Sequence, residues 1–284
     1  MTTTPTKTLA VLGMGLLGRG FAERMLALGH NVRVWNRTAS RCAPLVALGA
    51  TQADTPAAAV EGADHVHLVL TADAAVESVI EQLRPGLAEG VPLLDHSTNL
   101  PARVAERAPR LRAEGVHYLH APVFMGPRNA REGTGLMLVS GPSDAIKTLT
   151  PYLETLTGAV RDLGERPDKA AAVKIIGNSV LLMMTATMGD AFTVGAATGV
   201  TPEEIIGLFQ AFSPSPAGMG QRVLSSKDGP VGFEAVMARK DAGLMIAAAG
   251  EENLHLLPII AAVLDEGIAA GRGQEDFTAM FRPT

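Results

Sequence analysis

The chain has 284 residues, 47% of them hydrophobic, enough for a substantial core, and the length suits two ordinary domains better than one large one. A net charge of -5 without a dense basic stripe argues against nucleic acid as the main partner. The single cysteine, Cys42, excludes an intrachain disulfide and fits a reducing cytoplasm.

Thr2-Thr3-Thr4-Pro5-Thr6 reads as a short tail, and the apolar stretch after it is cut by glycines and Arg19, so no signal peptide is expected. Leu9 to Leu12 reads as a buried parallel strand that breaks at Gly13, after which Leu16 to Leu28 has helical spacing. Between them lies Gly13-Met14-Gly15-Leu16-Leu17-Gly18. In a strand–turn–helix of this kind the first glycine permits the turn, the second lets backbone approach a pyrophosphate, and the third lets helix and strand pack closely. The phosphates then sit on the positive helix N-terminus.

After a short turn at Gly29-His30, Val32 to Trp35 supplies the next strand, followed by Asn36-Arg37-Thr38. NAD-binding chains usually carry Asp or Glu here, about 20 residues past the turn, for the ribose 2′-hydroxyl. This chain has no carboxylate to repel a 2′-phosphate, Arg37 can pair with one as a planar fork, and Asn36 and Thr38 add neutral hydrogen bonds. NADP is therefore favoured over NAD, and NADPH over NADH. The competing reading makes Arg37 a solvated charge and Thr38 an N-cap.

Further strands are expected at His65 to Leu70, Val91 to Asp95, Val116 to Ala121, Gly135 to Val139 and Ala159 to Leu163, with helices at Ala72 to Leu83, Pro101 to Ala113 and Ser143 to Thr155. Alternating strands and helices imply an α/β domain with a doubly wound parallel sheet of the Rossmann type, assigned to residues 1–166. Residues 167–284 read as an all-helical domain opening on a long helix, Ala170 to Thr198, with further helices at Pro202 to Phe212, Phe233 to Ala249 and Leu256 to Gly271. The long helix is strongly apolar, but Lys174, Asn178 and Asp190 interrupt it, which disfavours a membrane span. These helices are rich in Ala, Gly and Met and poor in charge, so they are expected to bury each other and a second subunit, giving a homodimer or higher oligomer.

Lys174 and Asn178 lie four apart and share a helix face. If that face points into a cleft, Lys174 can exchange a proton with a substrate oxygen while Asn178 holds the substrate or the lysine. Spacing alone equally allows Lys174 to snorkel to the surface and Asn178 to bend or end a turn. Asp95, His96 and Ser97 contain the residue types of a hydrolase triad, yet neighbours on an extended strand face opposite ways and cannot converge. His65 and His67 could share a strand face, but no third ligand lies nearby, and His117 and His120 point to opposite faces, so no metal is expected. The methionines, Met183, Met184 and Met188 among them, suit helix packing.

Five ordered motifs spanning nearly the whole chain resemble the β-hydroxyacid dehydrogenase family, to which 3-hydroxyisobutyrate dehydrogenases belong. They are the glycine turn with Asn36-Arg37-Thr38, Asp95-His96-Ser97-Thr98, Ala121-Pro122-Val123 with Gly133-Thr134, Lys174 with Asn178, and Lys240-Asp241. The resemblance implies a Rossmann domain, a long interdomain helix, an all-helical C-terminal domain and at least a dimer. It also implies that Lys174 is the general acid or base and that Asn178 helps hold a small carbonyl or hydroxy substrate of β-hydroxyacid or semialdehyde type. Leu70-Thr71 and Ser97-Thr98 would flank the nicotinamide and its ribose, with Ser97 also at the substrate, and Lys240 would close over the cofactor.

One departure bears on the substrate. Where the family usually carries Ser-Gly-Gly, which holds a substrate carboxylate, this chain has Phe124-Met125-Gly126. Two bulky apolar side chains replace the serine hydroxyl, so a larger or more apolar carbonyl compound becomes plausible. Arg128 or Arg131 could supply a carboxylate contact, although solvated charges are the commoner role. The runner-up is an imine reductase or reductive aminase, whose pockets are more apolar but which usually replace the lysine with Asp or Tyr. Decarboxylating 6-phosphogluconate dehydrogenases share the lysine and asparagine but are much longer and carry a histidine at Gly177. A third reading, of a different class, is a non-catalytic NADP-binding scaffold, against which the retention of both Lys174 and Asn178 counts.

Overall fold

The strand Thr8–Leu12 (β1) shows how one apolar run builds two cores, because successive side chains leave a strand on opposite faces. Leu9 and Val11 enter one cluster with Phe21, Met25, Val34 and Leu153, while Ala10 and Leu12 enter another with Val66, Ile80, Val104 and Leu111. The same split recurs at Leu94 against Leu93 and at Leu119 against Tyr118. A sheet covered on both faces favours apolar residues at successive positions, which is why β1 reads as a continuous run.

The structure is a computed structural model and describes residues 6–226 and 229–282, so the tail read at Thr2 to Pro5 lies outside the described residues. Chain order continues with α1 (Leu16–Ala27), β2 (Asn31–Trp35), α2 (Ala43–Val46), β3 (Thr51–Gln52), α3 (Pro56–Val60), β4 (His65–Leu68), α4 (Asp73–Leu83), β5 (Pro92–Asp95), α5 (Pro101–Ala113) and β6 (His117–His120). These strands form one six-stranded, all-parallel sheet in the order β3-β2-β1-β4-β5-β6, a Rossmann arrangement whose order reverses at β1. Then follow β7 (Val123–Phe124), α6 (Pro127–Glu132), β8 (Leu136–Val139), α7 (Ser143–Leu156) and β9 (Ala159–Asp162). Here the expected continuation of the parallel sheet is corrected. β7, β8 and β9 form a separate sheet, with β7 antiparallel to β8.

The remaining elements are helical: α8 (Lys169–Thr198), α9 (Pro202–Phe212), α10 (Pro214–Ser225), α11 (Ala235–Ala249) and α12 (Leu257–Ala269). The chain divides into two compact units, Met1–Lys174 and Ile175–Thr284, and the division falls inside α8. In the second unit, Ile175 and Leu182 pack with α11, α12 and Phe277, whereas Met188 and Phe192 pack with α9 and α10. With 30 residues, α8 is long and apolar enough to cross a membrane by length and composition. The hydroxyls of Thr185, Thr187, Thr193 and Thr198 each donate to the carbonyl four residues back, so these hydroxyls are satisfied along the helix itself.

Candidate active site

The glycine turn is built by close backbone approach. Gly13 sits at φ 110°, a conformation glycine adopts without strain, and its N–H donates to Trp35 O. A side chain on Gly18 would overlap the Gly13 carbonyl, whereas one on Gly15 would meet open space. Helix α1 starts at that open edge with no side-chain cap and no acidic residue in its first turn. Its exposed N–H groups and positive dipole end form an anion seat, so this site fits a dinucleotide pyrophosphate.

Asn36 is committed to the protein. Its Oδ1 accepts the Met14 N–H at 3.0 Å, and its Nδ2 donates to the Thr38 carbonyl at 2.9 Å. The Met14 N–H and the Asn36 amide, both read from sequence as cofactor contacts, are thus bonded to one another. Arg37 and Thr38 remain exposed at the end of β2.

The two loops expected to flank the nicotinamide meet directly, since the Leu70 N–H donates to Ser97 Oγ at 3.0 Å. Thr71 is exposed beside Leu70, and Thr98 is half-buried beside Ser97. Beneath them lies a buried polar network that sequence reading missed. Asp95 accepts from the Ser97 N–H, from Asn99 Nδ2 at 2.7 Å and from the Tyr118 hydroxyl at 2.7 Å. Arg107, 1% exposed, reaches Asp73 and Glu77 at 2.7 Å and Asp95 at 3.6 Å. Against the burial that disfavours its charge, Tyr118, Asp95 and Glu77 raise its pKa further above the usual value, and burial pushes the Tyr118 phenol well up. Asp73 also accepts the Leu100 N–H at 2.9 Å, so one guanidinium braces the chain on both sides of the Ser97 loop. The only signal in the sequence was a charged residue falling on the buried face of an amphipathic helix.

On the other side of the same loop, His96 turns away from Asp95. Its Nδ1 donates to the Ala121 carbonyl at 2.7 Å, and its Nε2 lies 2.9 Å from His67 Nδ1. Because a carbonyl only accepts, a neutral His96 must take the His67 N–H, and His67 Nε2 in turn accepts the Tyr152 hydroxyl at 2.8 Å. Burial lowers His96 and His65 to about 4 and holds His67 well below its usual value. Asp95, His96 and Ser97 therefore serve three different partners. Among the described residues no three His, Cys, Asp or Glu side chains cluster as a metal site.

Lys174 and Phe124 are brought together in the first unit. Lys174 is 8% exposed, and its Nζ lies 4.1 Å from the centroid of the Phe124 ring. Ser140, buried just after β8, accepts the Ala170 N–H at 3.0 Å and donates to the Pro167 carbonyl at 2.9 Å, fixing the first turn of α8. Gly126 donates its N–H to Asn129 Oδ1 at 3.1 Å, and Met125 packs against Gly135. Arg128 pairs with Glu132 at 2.7 Å and Arg131 with Glu23 at 3.7 Å.

In the second unit, Asn178 Nδ2 donates to Asp241 Oδ2 at 2.7 Å, and Lys240 Nζ lies 2.5 Å from Asp241 Oδ1. Asp241 is buried and links two residues that the sequence singled out separately. Its signal was its place beside Lys240.

Residues 8–164 match the family model described as the NAD binding domain of 6-phosphogluconate dehydrogenase, and residues 169–284 match the one described as NAD-binding of NADP-dependent 3-hydroxyisobutyrate dehydrogenase. An uncharacterized oxidoreductase of Bacillus subtilis is 30% identical over 282 residues, covering 96% of this chain and 98% of that protein. The 3-sulfolactaldehyde reductase of Escherichia coli is 28% identical, covering 96% of this chain and 94% of that protein. Among solved structures, the fold resembles that of the Mycobacterium tuberculosis 3-hydroxyisobutyrate dehydrogenase with L-serine, at a TM-score of 0.84, 21% identity and 98% coverage of both chains. An imine reductase from Myxococcus stipitatus with NADP+ superposes at 0.64 with 23% identity, covering 97% of this chain and 98% of that one.

Proposed function

The chain belongs to the β-hydroxyacid dehydrogenase family of NAD(P)-dependent oxidoreductases, and on that premise we propose that it is an NADPH-dependent carbonyl reductase with Lys174 as its proton donor. The observation that carries this reading is the burial of Lys174, 8% exposed as a residue, on a helix turn pinned by Ser140. A buried lysine costs desolvation, and a proton-transfer role accounts for keeping it.

The nicotinamide, when bound, supplies the hydride that adds to the carbonyl carbon. Lys174 delivers a proton to the carbonyl oxygen, so a hydroxyl forms and the amine left behind recovers its proton from solvent. Asn178, its amide held by Asp241, orients the substrate. Arg37 supplies the charge that recognises a 2′-phosphate, and the open edge at Gly15 with the N-terminus of α1 takes the pyrophosphate. Leu70, Thr71 and the braced Ser97-Thr98 loop line the nicotinamide end, and Lys240 contacts the cofactor.

The substrate is a carbonyl compound with an apolar part beside the reacting carbon, because Phe124 and Met125 stand where a carboxylate would otherwise be held. The Gly126 N–H, which could have bound a carboxylate oxygen, is already given to Asn129. The same two apolar side chains favour a second reading as an imine reductase. NADPH oxidation over a panel of aldehydes, keto acids and cyclic imines, with wild type and Lys174→Ala, separates them. Carbonyl turnover lost on Lys174→Ala supports the first reading. Imine turnover insensitive to Lys174 supports the second, and NADPH binding without turnover of any substrate supports a non-catalytic scaffold.

The protein is proposed to work as a homodimer or higher oligomer. Ile176, Val194 and Phe212, exposed by 62%, 63% and 70%, form part of an apolar surface that subunit contact would bury. Light scattering on the eluted protein measures the oligomer directly.

A further inference from the structure

We infer that Phe124 is a positioning residue for Lys174: its ring face holds the ammonium in place and keeps it protonated into more alkaline solution than an aliphatic side chain would. The face of a phenyl ring carries partial negative charge and attracts a cation within about 6 Å of its centroid, the more strongly when water is excluded. Nζ lies 4.1 Å from the centroid, and the lysine is 8% exposed. A neutral amine gains nothing comparable from the ring, so the contact favours the charged form.

One strand anchors the backbone on both sides of the contact. Phe124 pairs with Leu136 at the start of β8, and Ser140, one residue beyond its end, fixes Ala170, one turn before Lys174. The backbones that carry the ring and the lysine are thus both anchored to β8 or its end. Three ion pairs lie on the surrounding elements: Arg166 with Asp168 before α8, Arg128 with Glu132 on α6, and Arg131 of α6 with Glu23 of α1. Lys169 opens α8, β9 carries Arg161 and Asp162, the loop after β5 carries His96, and β6 carries His117, Tyr118 and His120. Along α8, Asn178 one turn on is bonded to Asp241, which pairs with Lys240, and Asp190 follows. Substitution at position 124 changes none of these charges, so a difference between variants reports the ring itself.

The test compares wild type with Phe124→Leu, Phe124→Tyr and Phe124→Trp. The Nζ titration is read by NMR after reductive 13C-methylation of the lysines, with Lys174→Arg assigning the signal, and this readout needs no substrate. Phe124→Leu is expected to lower the titration midpoint of Lys174 by roughly one pH unit, with Phe124→Tyr near wild type and Phe124→Trp at or above it. Coincident midpoints in all folded variants would overturn the inference, and the Tyr and Trp variants keep the comparison open should Phe124→Leu fail to fold. A second readout, the alkaline limb of the pH profile for carbonyl reduction, rests on Lys174 being the proton donor and should shift in the same order. If Lys174→Ala retains full turnover, the proton-donor reading fails while the NMR result still decides the role of Phe124.

Discussion

Asn36 Oδ1 accepts the Met14 N–H at 3.0 Å, joining the end of β2 to the glycine turn and making one rigid piece of the two halves of the nucleotide site. Its other amide atom holds the Thr38 carbonyl, which sets the path of the chain carrying Arg37. Asn36 and Arg37 therefore do different work. Arg37→Ala should weaken NADPH by roughly 10- to 100-fold and NADH little, because only the former carries a 2′-phosphate. Asn36→Ala should weaken both cofactors by similar factors, since it loosens the turn that both share. Fluorescence titration with the two nucleotides measures each, and equal losses for Arg37→Ala would remove the 2′-phosphate assignment.

Asp241 controls Asn178 and Lys240 at once. Replacing it with Ala removes a charge-assisted hydrogen bond and an ion pair, for which a fall in kcat/KM of roughly 10- to 100-fold is expected. Asp241→Asn keeps the shape and should lose less. Steady-state kinetics on both variants, with thermal melts to confirm folding, check the order, and unchanged kcat/KM in both would show that Asp241 is only a packing residue.

Arg107 is the structural counterpart. Arg107→Met leaves Asp73 and Asp95 without their cation inside the first unit, and breaking such a buried network costs about 3–5 kcal/mol. A lowering of Tm by roughly 10 °C is expected in differential scanning calorimetry. The Ser97 loop loses its brace at the same time, so NADPH and NADH binding should weaken together. A melting temperature equal to wild type would show that the network contributes no stability.

The buried histidines set the acid limit. His65 and His96 are held near 4 by burial, below the unfolded value of about 6.5, so the unfolded chain binds protons that the folded one refuses. Their contribution is intact above pH 6.5 and is lost progressively as pH falls from about 6.5 to about 4. Melting temperatures across that window should drop steeply in wild type and less in His65→Met, which removes one titrating group. Parallel profiles for the two proteins would exclude His65 from the acid transition.

Much of the architecture was legible because it follows from local rules. Pro101–Ala113 and Pro202–Phe212 form helices with the bounds that periodicity set, since each opens on proline and keeps its apolar face throughout. β7, with two residues, is too short to show a period, and it pairs antiparallel where the surrounding pattern was parallel. Pro214–Ser225 carries two prolines and two glycines and forms a helix anyway, because Ala217, Met219 and Val223 are buried against Met188 and Phe192. The glycine turn was readable from sequence because its constraints lie within six residues.

Taken alone, the sequence determined the Rossmann-plus-helical organisation, the glycine-rich dinucleotide turn and the family, since each rests on spacing along the chain. It left Lys174 between a surface lysine and a buried one, treated Asp95 only as a discarded triad member, and counted Asn36 among the ligands. Tertiary structure supplied their partners: it set Lys174 over Phe124, gave Asp95 to Arg107 and Tyr118, and joined Asn36 to Met14. These partners stand between 22 and 50 residues apart, except Arg107, which is twelve from Asp95 but one helix away. Burial and hydrogen bonding are settled by what packs against a side chain, and over such separations that is a property of the folded surface rather than of local spacing.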